Sequence, residues 1–444
     1  MNSKVASIAI FGSYFRRPQV SRIVLSLTLA AALLADRNLC ADDLPTARPE
    51  DVGLSTERLT RIGQMMKRHI DAGHIQGGVT AVARRGKVAH FEAHGLMDVE
   101  SKIPMTKDAI FRMASSSKPV TGVAILMLVE EGKVRISDPV SNFIPEFKEM
   151  KVAVLKGAAA PEGTGAATQQ VGAPEYDTVP ADREITIRDL LTHTSGLLSG
   201  GAGSAAARQN PRTADTTLAD YIPRLGAVPL DFQPGSAWRY SPGAGIDTLG
   251  RIVEIASGQS FDQFLKVRIF EPLGMRDTTF ALSDDQQSRL VTLYRATPNG
   301  LEKSPLQAGF SSRKYFSGAG GLMSTAEDYL RFEQMLLNGG QLNGNRLLSP
   351  RTVSLMATNH VGDLFSGLTT GQQGMGFGFT VAVVLDASKA QTRRSNGAFG
   401  WGGAFGTISW TDPNEQMCAV LMLQQRDQQV QRDFENAVMQ AIVD

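Results

Sequence analysis

Apolar positions recur at helical spacing along some stretches of the chain and gather into short runs along others. Over residues 56–72, Leu59, Ile62, Met65, Met66 and Ile70 share one face of a predicted helix. Two short strands are expected at about 77–84 and 87–94, joined at Arg85-Gly86. Residues 116–131 place Val120, Val123, Ala124, Met127 and Leu128 at helical spacing. Ile125, Leu126 and Val129 fill the opposite face, so this helix is predicted to be buried nearly all round. Further helices are expected at about 186–193, 243–257, 260–270 and 324–337, with Ser260 a good cap for the third, and a last one at about 427–442. Between 375 and 423, apolar strands alternate with Gly-rich turns. Residues 157–183 and 196–216 are rich in Gly, Ala, Thr and Pro and carry no period, which predicts surface loops able to wall a substrate pocket. Strands at both ends and helices between them predict an α/β domain built from both termini, with a helical insertion.

The first forty residues follow a different logic. A 13-residue apolar run at 23–35 is too short for a membrane span. Lys4, Arg16, Arg17 and Arg22 precede it, and small residues and Ala41 follow, the pattern of a secretory signal peptide cleaved near Ala41. The expected location is the periplasm or the exterior; an uncleaved N-terminal anchor is the alternative. Removing residues 1–41 takes away five positive charges and one negative, turning a formal net charge of +1 into −3. No later stretch is long and apolar enough to span a membrane.

Composition narrows the function classes. The 444 residues are 42% hydrophobic and 20% charged, ordinary for a folded enzyme and wrong for disorder. With 45 Lys+Arg against 44 Asp+Glu there is no basic excess to attract nucleic acid. Two cysteines, Cys40 and Cys418, exclude a disulfide framework and a Cys-rich zinc site.

One short motif carries chemistry. Ser115-Ser116-Ser117-Lys118 is a Ser-x-x-Lys at the start of the predicted buried helix. Residues i and i+3 share a helix face, so Lys118 is expected beside the Ser115 hydroxyl. A desolvated lysine gives up its proton more readily and can activate that hydroxyl. Pro119 is tolerated only in a first turn, so the helix must start near Ser115 or Ser116. Taken alone the motif is weak, and Ser115 could be a polar helix cap. Ser311-Ser312-Arg313-Lys314 repeats the spacing in a polar stretch with no apolar helix directly after it, and reads as an accidental match.

With these residues in view, the sequence resembles the serine β-lactamase and penicillin-binding-protein superfamily, and within it most closely the family VIII carboxylesterases. The resemblance covers about residues 45–440. It is carried by FRMASSSKPVTG at 111–122, ITIRDLLTHTSGL at 185–197, FQPGSAWRYSPGAGIDTLGRIVE at 232–254, IFEPLGMRDTTF at 269–280 and WGGAFGTISWTDP at 401–413. It implies an α+β fold: an antiparallel sheet flanked by helices, plus a mostly helical inserted domain. The corresponding division is a signal peptide at 1–41, the first part of the α/β domain at 42–135, the insertion at 136–310 and the second part at 311–444.

The resemblance also implies roles. Ser115 would be the nucleophile, Lys118 its activating partner, and Tyr240 a general base that later returns the proton as acid. A neighbouring ammonium would lower the tyrosine pKa, and the two groups would titrate as a coupled pair. Trp401-Gly402-Gly403 stands where β-lactamases carry Lys-Thr-Gly, and the backbone N–H groups of Ser115 and Ala404 would form an oxyanion hole. Two departures bear on substrate. Pro242 stands where class C β-lactamases have Asn, and Trp401 replaces the lysine that would pair with a substrate carboxylate. Trp401, Gly402, Gly403 and Pro242 are therefore expected to line a site for an uncharged short-chain ester. The expected activity is that of a serine carboxylesterase using no cofactor and no metal. A β-lactamase, a D-amino-acid peptidase, an acyltransferase and a penicillin-binding protein without turnover are the alternatives.

Other residues have simpler readings. His193 is expected to brace its loop, and Asp247 to be a helix-start charge. His90, Glu92 and His94 share a strand face, but not in the zinc-protease order, so metal binding is not expected there. The chain contains no Gly-x-Ser-x-Gly elbow and no nucleotide-binding glycine motif.

Overall fold

A computed structural model of the chain describes residues 44–156, 175–209, 211–297, 300–304, 314–365, 367 and 373–444. The predicted signal peptide and Ser311 of the second Ser-x-x-Lys lie outside these residues. One antiparallel sheet of eight strands organises the rest. In chain order its strands are β1 (Gly77–Arg84), β2 (Lys87–Asp98), β3 (Ile103–Pro104), β4 (Met375–Phe377), β5 (Ala382–Val384), β6 (Phe399–Gly402), β7 (Ile408–Asp412) and β8 (Met417–Met422). They lie in the order β4-β5-β6-β7-β8-β1-β2-β3. The two ends of the chain meet at β1 and β8, where Val79 faces Met422 and Ala83 faces Cys418. Among the described residues, those between 105 and 374 add no strand to this sheet.

Five helices matter most for the site: α1 (Thr56–Asp71), α2 (Lys118–Glu130), α3 (Ala244–Ser257), α4 (Ala326–Leu337) and α5 (Gln428–Met439). All eight residues of β1 are buried because both faces of the strand are covered. Alternation sorts them. Val82 joins Ile62 and Met66 of α1 and Phe434 and Val438 of α5 on one face. Val79, Ala81 and Ala83 point the other way, into a larger core with Val120 and Val123 of α2, Ile246 and Leu249 of α3 and Phe332 of α4. That larger core also takes Phe147, Leu190 and Phe264 from the helical region. Residues Asp43–Asp444 form one compact unit, so packing runs across the boundaries expected at 135 and 310. Among the described residues no helix is long and apolar enough to cross a membrane.

The strand expected at 87–94 runs on to Asp98 and the helix expected at 186–193 shortens to Ile187–Leu191, and three further segments differ in kind, each for a physical reason. The stretch 157–183, expected to be loop, contains a strand at Tyr176–Pro180 that pairs with Lys151–Leu155. Val154 and Val179 of this ribbon are exposed, so no alternating burial existed for the sequence to record. The stretch 196–216 contains a short helix, Ala202–Ala207, built from Ala, Gly and Ser, whose pattern has no polar contrast. The helix expected over 260–270 is α-helical only over Phe261–Leu265 and widens to π over Lys266–Phe270. Pro272, two residues beyond its end, has no N–H for the carbonyl one turn back.

A buried acid lies between α4 and the sheet. Glu333 accepts hydrogen bonds from Ser409 Oγ and Thr411 Oγ1 of β7 at 2.5 and 2.7 Å. Burial pushes its carboxyl pKa up to about 7, from an ordinary value of 4.5. Between pH 4.5 and about 7 the folded chain therefore holds a proton that the unfolded chain has lost, and stability falls as pH rises through this window. A shift of this size corresponds to about 3 kcal/mol. Asp328, also raised by burial, to about 6, acts in the same sense. Glu333→Gln is expected to raise the melting temperature at pH 8 more than at pH 5. A thermal-denaturation series over pH 5–8 checks this, and equal shifts at both ends would contradict it.

Candidate active site

The site begins where the chain turns from the sheet into α2. Phe111–Arg112 pairs with Met323–Ser324, and the Met113 N–H donates to the Leu322 carbonyl at 2.9 Å. Ala114 then takes φ +45°, a left-handed conformation costly for a residue with a Cβ. Ala114–Ser117 form a 3-10 turn, and the α-helix proper starts at Lys118, slightly later than Pro119 alone required. In a 3-10 turn residues i and i+3 eclipse each other. Lys118 Nζ accordingly lies 3.1 Å from Ser115 Oγ.

Lys118 is fully buried. Its Nζ also reaches the carbonyl oxygens of Pro242 and Ala319, each at 2.8 Å. The Tyr240 hydroxyl lies 2.7 Å from Ser115 Oγ, and Lys118 Nζ is 5.0 Å from the centre of the tyrosine ring. Two proton arrangements satisfy this one set of heavy atoms. With a neutral amine, its two N–H groups serve the carbonyls, its lone pair accepts the Ser115 O–H, and Tyr240 donates to Oγ. With an ammonium, all three N–H groups donate and Ser115 donates to a tyrosinate. Either way every polar atom is paired, so the serine proton has two acceptors within reach.

The nucleophile turn is pinned from several sides. Ser116 Oγ meets Thr407 Oγ1 at 2.8 Å, and Thr407 also donates to the Met113 carbonyl at 3.2 Å. Ser117 Oγ accepts from the Leu322 N–H at 3.2 Å. Tyr329 of α4 donates to the Ser116 carbonyl at 2.7 Å. The end of β6 closes against the same turn. A Cβ at Gly403 would collide with the Met113 carbonyl and the Thr407 hydroxyl, so glycine there is demanded by packing as well as by access. Ala404 follows, exposed. Among the described residues neither the Ser115 nor the Ala404 N–H has an internal acceptor, which leaves both to serve a ligand oxygen.

Pro242 lies at the surface and contributes its carbonyl to Lys118. Trp401 is only 6% exposed. It packs into an aromatic cluster beside Tyr240, with ring centres 5.8 Å from Tyr240 and 5.3 Å from Phe377. Trp238 and Phe365 complete that wall. His193 backs the tyrosine, ring centres 4.7 Å apart, and its Nδ1 accepts from the Ser241 N–H at 3.3 Å. Burial, and then the nearby Lys118, hold its pKa well below the usual histidine value, so it stays neutral. It braces the Tyr240 segment, whereas the sequence suggested a brace for its own loop. Lys314, the lysine of the second Ser-x-x-Lys, lies at the surface and pairs with Asp215 at 2.7 Å.

The sequence did not reveal Ala319 or the true place of Asp247. Asp247 sits in the first turn of α3, as expected, but it is buried. It accepts hydrogen bonds from Tyr315 Oη (2.9 Å), Ser317 Oγ (2.8 Å) and the Ala319 N–H (3.0 Å). Burial raises its pKa. Asp247 thus holds the segment whose carbonyl faces Lys118. The only trace in the sequence is the Gly-rich run Ser317-Gly318-Ala319-Gly320-Gly321. Asp247→Ala removes the acceptor shared by the Tyr315, Ser317 and Ala319 donors, and a buried donor left unsatisfied, as at the Ala319 N–H, costs about 1–3 kcal/mol. It is expected to lower both the melting temperature and kcat. Asp247→Asn, which keeps an acceptor for Ala319, is expected to recover most of kcat; equal kcat losses in both variants would contradict this role.

A serine flanked by a buried lysine and a tyrosine, on a helix packed under an antiparallel sheet, defines the chain as a serine hydrolase. Comparison with known proteins agrees. Residues 62–443 match the beta-lactamase family model. The chain is 37% identical over 368 residues to Protein Rv1367c of Mycobacterium tuberculosis, covering 80% of this chain and 87% of that one. It is 32% identical over 405 residues to Esterase EstB of Burkholderia gladioli, covering 85% and 92%. Its fold matches the solved structure of EstCE1, described as a hydrolase with promiscuous acyltransferase activity, with a TM-score of 0.71, 30% identity and coverage of 86% and 99%. The chain belongs to the beta-lactamase family.

Proposed function

We propose that this protein is an exported carboxylesterase that hydrolyses short-chain esters through a Ser115 acyl-enzyme. The observation that carries this reading is the aromatic wall beside Tyr240, in which Trp401 occupies the β6 position where a lysine would pair with a substrate carboxylate. Pro242 adds no side-chain amide. An uncharged acyl group suits such a wall better than a β-lactam carboxylate or a peptide C-terminus. EstB is named an esterase, which supports the same reading.

In the proposed reaction Ser115 Oγ attacks the ester carbonyl as its proton passes to the Tyr240/Lys118 pair. The Ser115 and Ala404 N–H groups receive the developing oxyanion. Collapse expels the alcohol, which takes the proton from the pair. Water then gives a proton to the same pair and attacks the acyl-enzyme, releasing the acid and restoring Ser115. An alcohol in place of water would yield acyl transfer, a second reading favoured by the acyltransferase activity ascribed to EstCE1.

The test compares p-nitrophenyl butyrate with nitrocefin. The ester is expected to win by roughly a hundredfold or more in kcat/KM. A preference for nitrocefin would reject the substrate argument. Faster p-nitrophenol release with added alcohol would favour the transferase reading. Export rests on the predicted signal peptide, and N-terminal sequencing of the protein recovered from the periplasm tests it.

A further inference from the structure

On the sheet face opposite α2, three metal-ligating side chains converge. His90, Glu92 and His94 alternate along β2 and stand across from Val82, Thr80 and Gly78 of β1. This is the Val82 face, covered by α1 and α5. Their ligating atoms all lie within 4.8 Å of one another. Thr80 Oγ1 sits between the two imidazoles, 2.8 Å from His90 Nε2 and 2.9 Å from His94 Nε2. The Glu92 carboxylate is 4.0 Å from His94 Nε2 and half exposed, which leaves a path from solvent. Above the cluster α1 presents Gly63, where a Cβ would lie 3.5 Å from Glu92 Oε2. A long side chain at that position would fill the space.

We infer that His90, Glu92 and His94 form a binding site for a divalent first-row transition cation, with zinc the best match to two imidazoles and one carboxylate. The inference is independent of the esterase reading. His90 is buried and His94 half-buried, so both imidazoles are shielded from bulk water while Glu92 stays open to it. Zinc bonds of about 2.0–2.1 Å put tetrahedral ligands about 3.3 Å apart. The present 4.0 Å between Glu92 and His94 closes to that by a small side-chain rotation. Thr80 can donate to only one imidazole, so the other ring now carries its proton on Nε2. Binding moves that proton to Nδ1 and frees both Nε2 lone pairs. Water or the Thr80 hydroxyl supplies the fourth ligand. The zinc-protease order is the wrong template for this group, because a strand brings alternate residues together where a helix brings i and i+4.

The test is calorimetric titration of the EDTA-stripped full chain with Zn2+ at pH 7, with Co2+ absorption as a second readout. One equivalent is expected to bind, with the visible bands of tetrahedral Co2+. Glu92→Gln and His94→Gln are each expected to weaken binding by at least about tenfold. Glu92 is half exposed, so its variant tests the site without endangering the fold. The control is His74→Gln, since His74 and His69 form the other histidine pair among the described residues, 2.9 Å apart. It is expected to leave binding unchanged. No saturable binding, binding unaffected by Glu92→Gln and His94→Gln, or loss with His74→Gln in their place would overturn the inference.

Discussion

Ser115→Ala is expected to abolish ester hydrolysis, by about 10^4-fold or more in kcat, while the protein stays folded. Oγ is the one atom that both Lys118 Nζ and the Tyr240 hydroxyl reach, at 3.1 and 2.7 Å. Removing it leaves the pair with nothing to activate. The structural loss is small. The half-buried Ser115 side chain bonds only Lys118 and Tyr240, whereas Ser116 and Ser117 hold the turn through Thr407 and Leu322. The measurement is the initial rate on p-nitrophenyl butyrate, with a melting curve and the intact mass after reaction with a fluorophosphonate. Wild type should gain one adduct and Ser115→Ala none. Ser311→Ala should retain full rate. Residual turnover of Ser115→Ala within tenfold of wild type would dismiss Ser115 as nucleophile.

Tyr240→Phe is expected to lower kcat by about 10^2–10^4 with little change in KM. The change removes one oxygen and keeps the ring between His193 and Trp401. Packing is therefore spared, and the loss isolates proton transfer. Lys118→Met is expected to cost a similar factor. Because both residues act on one proton, the double variant should be hardly worse than either single one. Multiplying losses would mean that the two residues act separately. A change confined to KM would make Tyr240 a substrate contact only.

How much of this is legible from the chain depends on the range of the interactions involved. β1 falls at 77–84 as its apolar run predicts, and α1 and α3 lie within a residue of their expected ends. Their patterns are amphipathic or continuously apolar, and burial follows pattern directly. The Tyr176–Pro180 ribbon and the Ala202–Ala207 helix escape such a reading because neither contrasts a buried face with a wet one. The π segment at Lys266–Phe270 escapes it because side-chain periodicity barely distinguishes it from an α-helix.

The site divides along the same line. Ser115 and Lys118 are three residues apart, and local helical geometry alone brings them together. Tyr240 is reached only through resemblance, since no local rule places it 2.7 Å from a serine 125 positions earlier. The Ala319 carbonyl, the Asp247 brace behind it and the Thr407 clasp on Ser116 belong to the tertiary structure alone. The nucleophile motif, the long helices and the assembly of the sheet from both ends of the chain are legible in the residue order, because they rest on short-range periodicity and i, i+3 proximity. Only the folded structure decided what surrounds Lys118, how Trp401 is buried and that Thr80 sits between His90 and His94, because those depend on contacts between segments whose separation along the chain carries no spatial information.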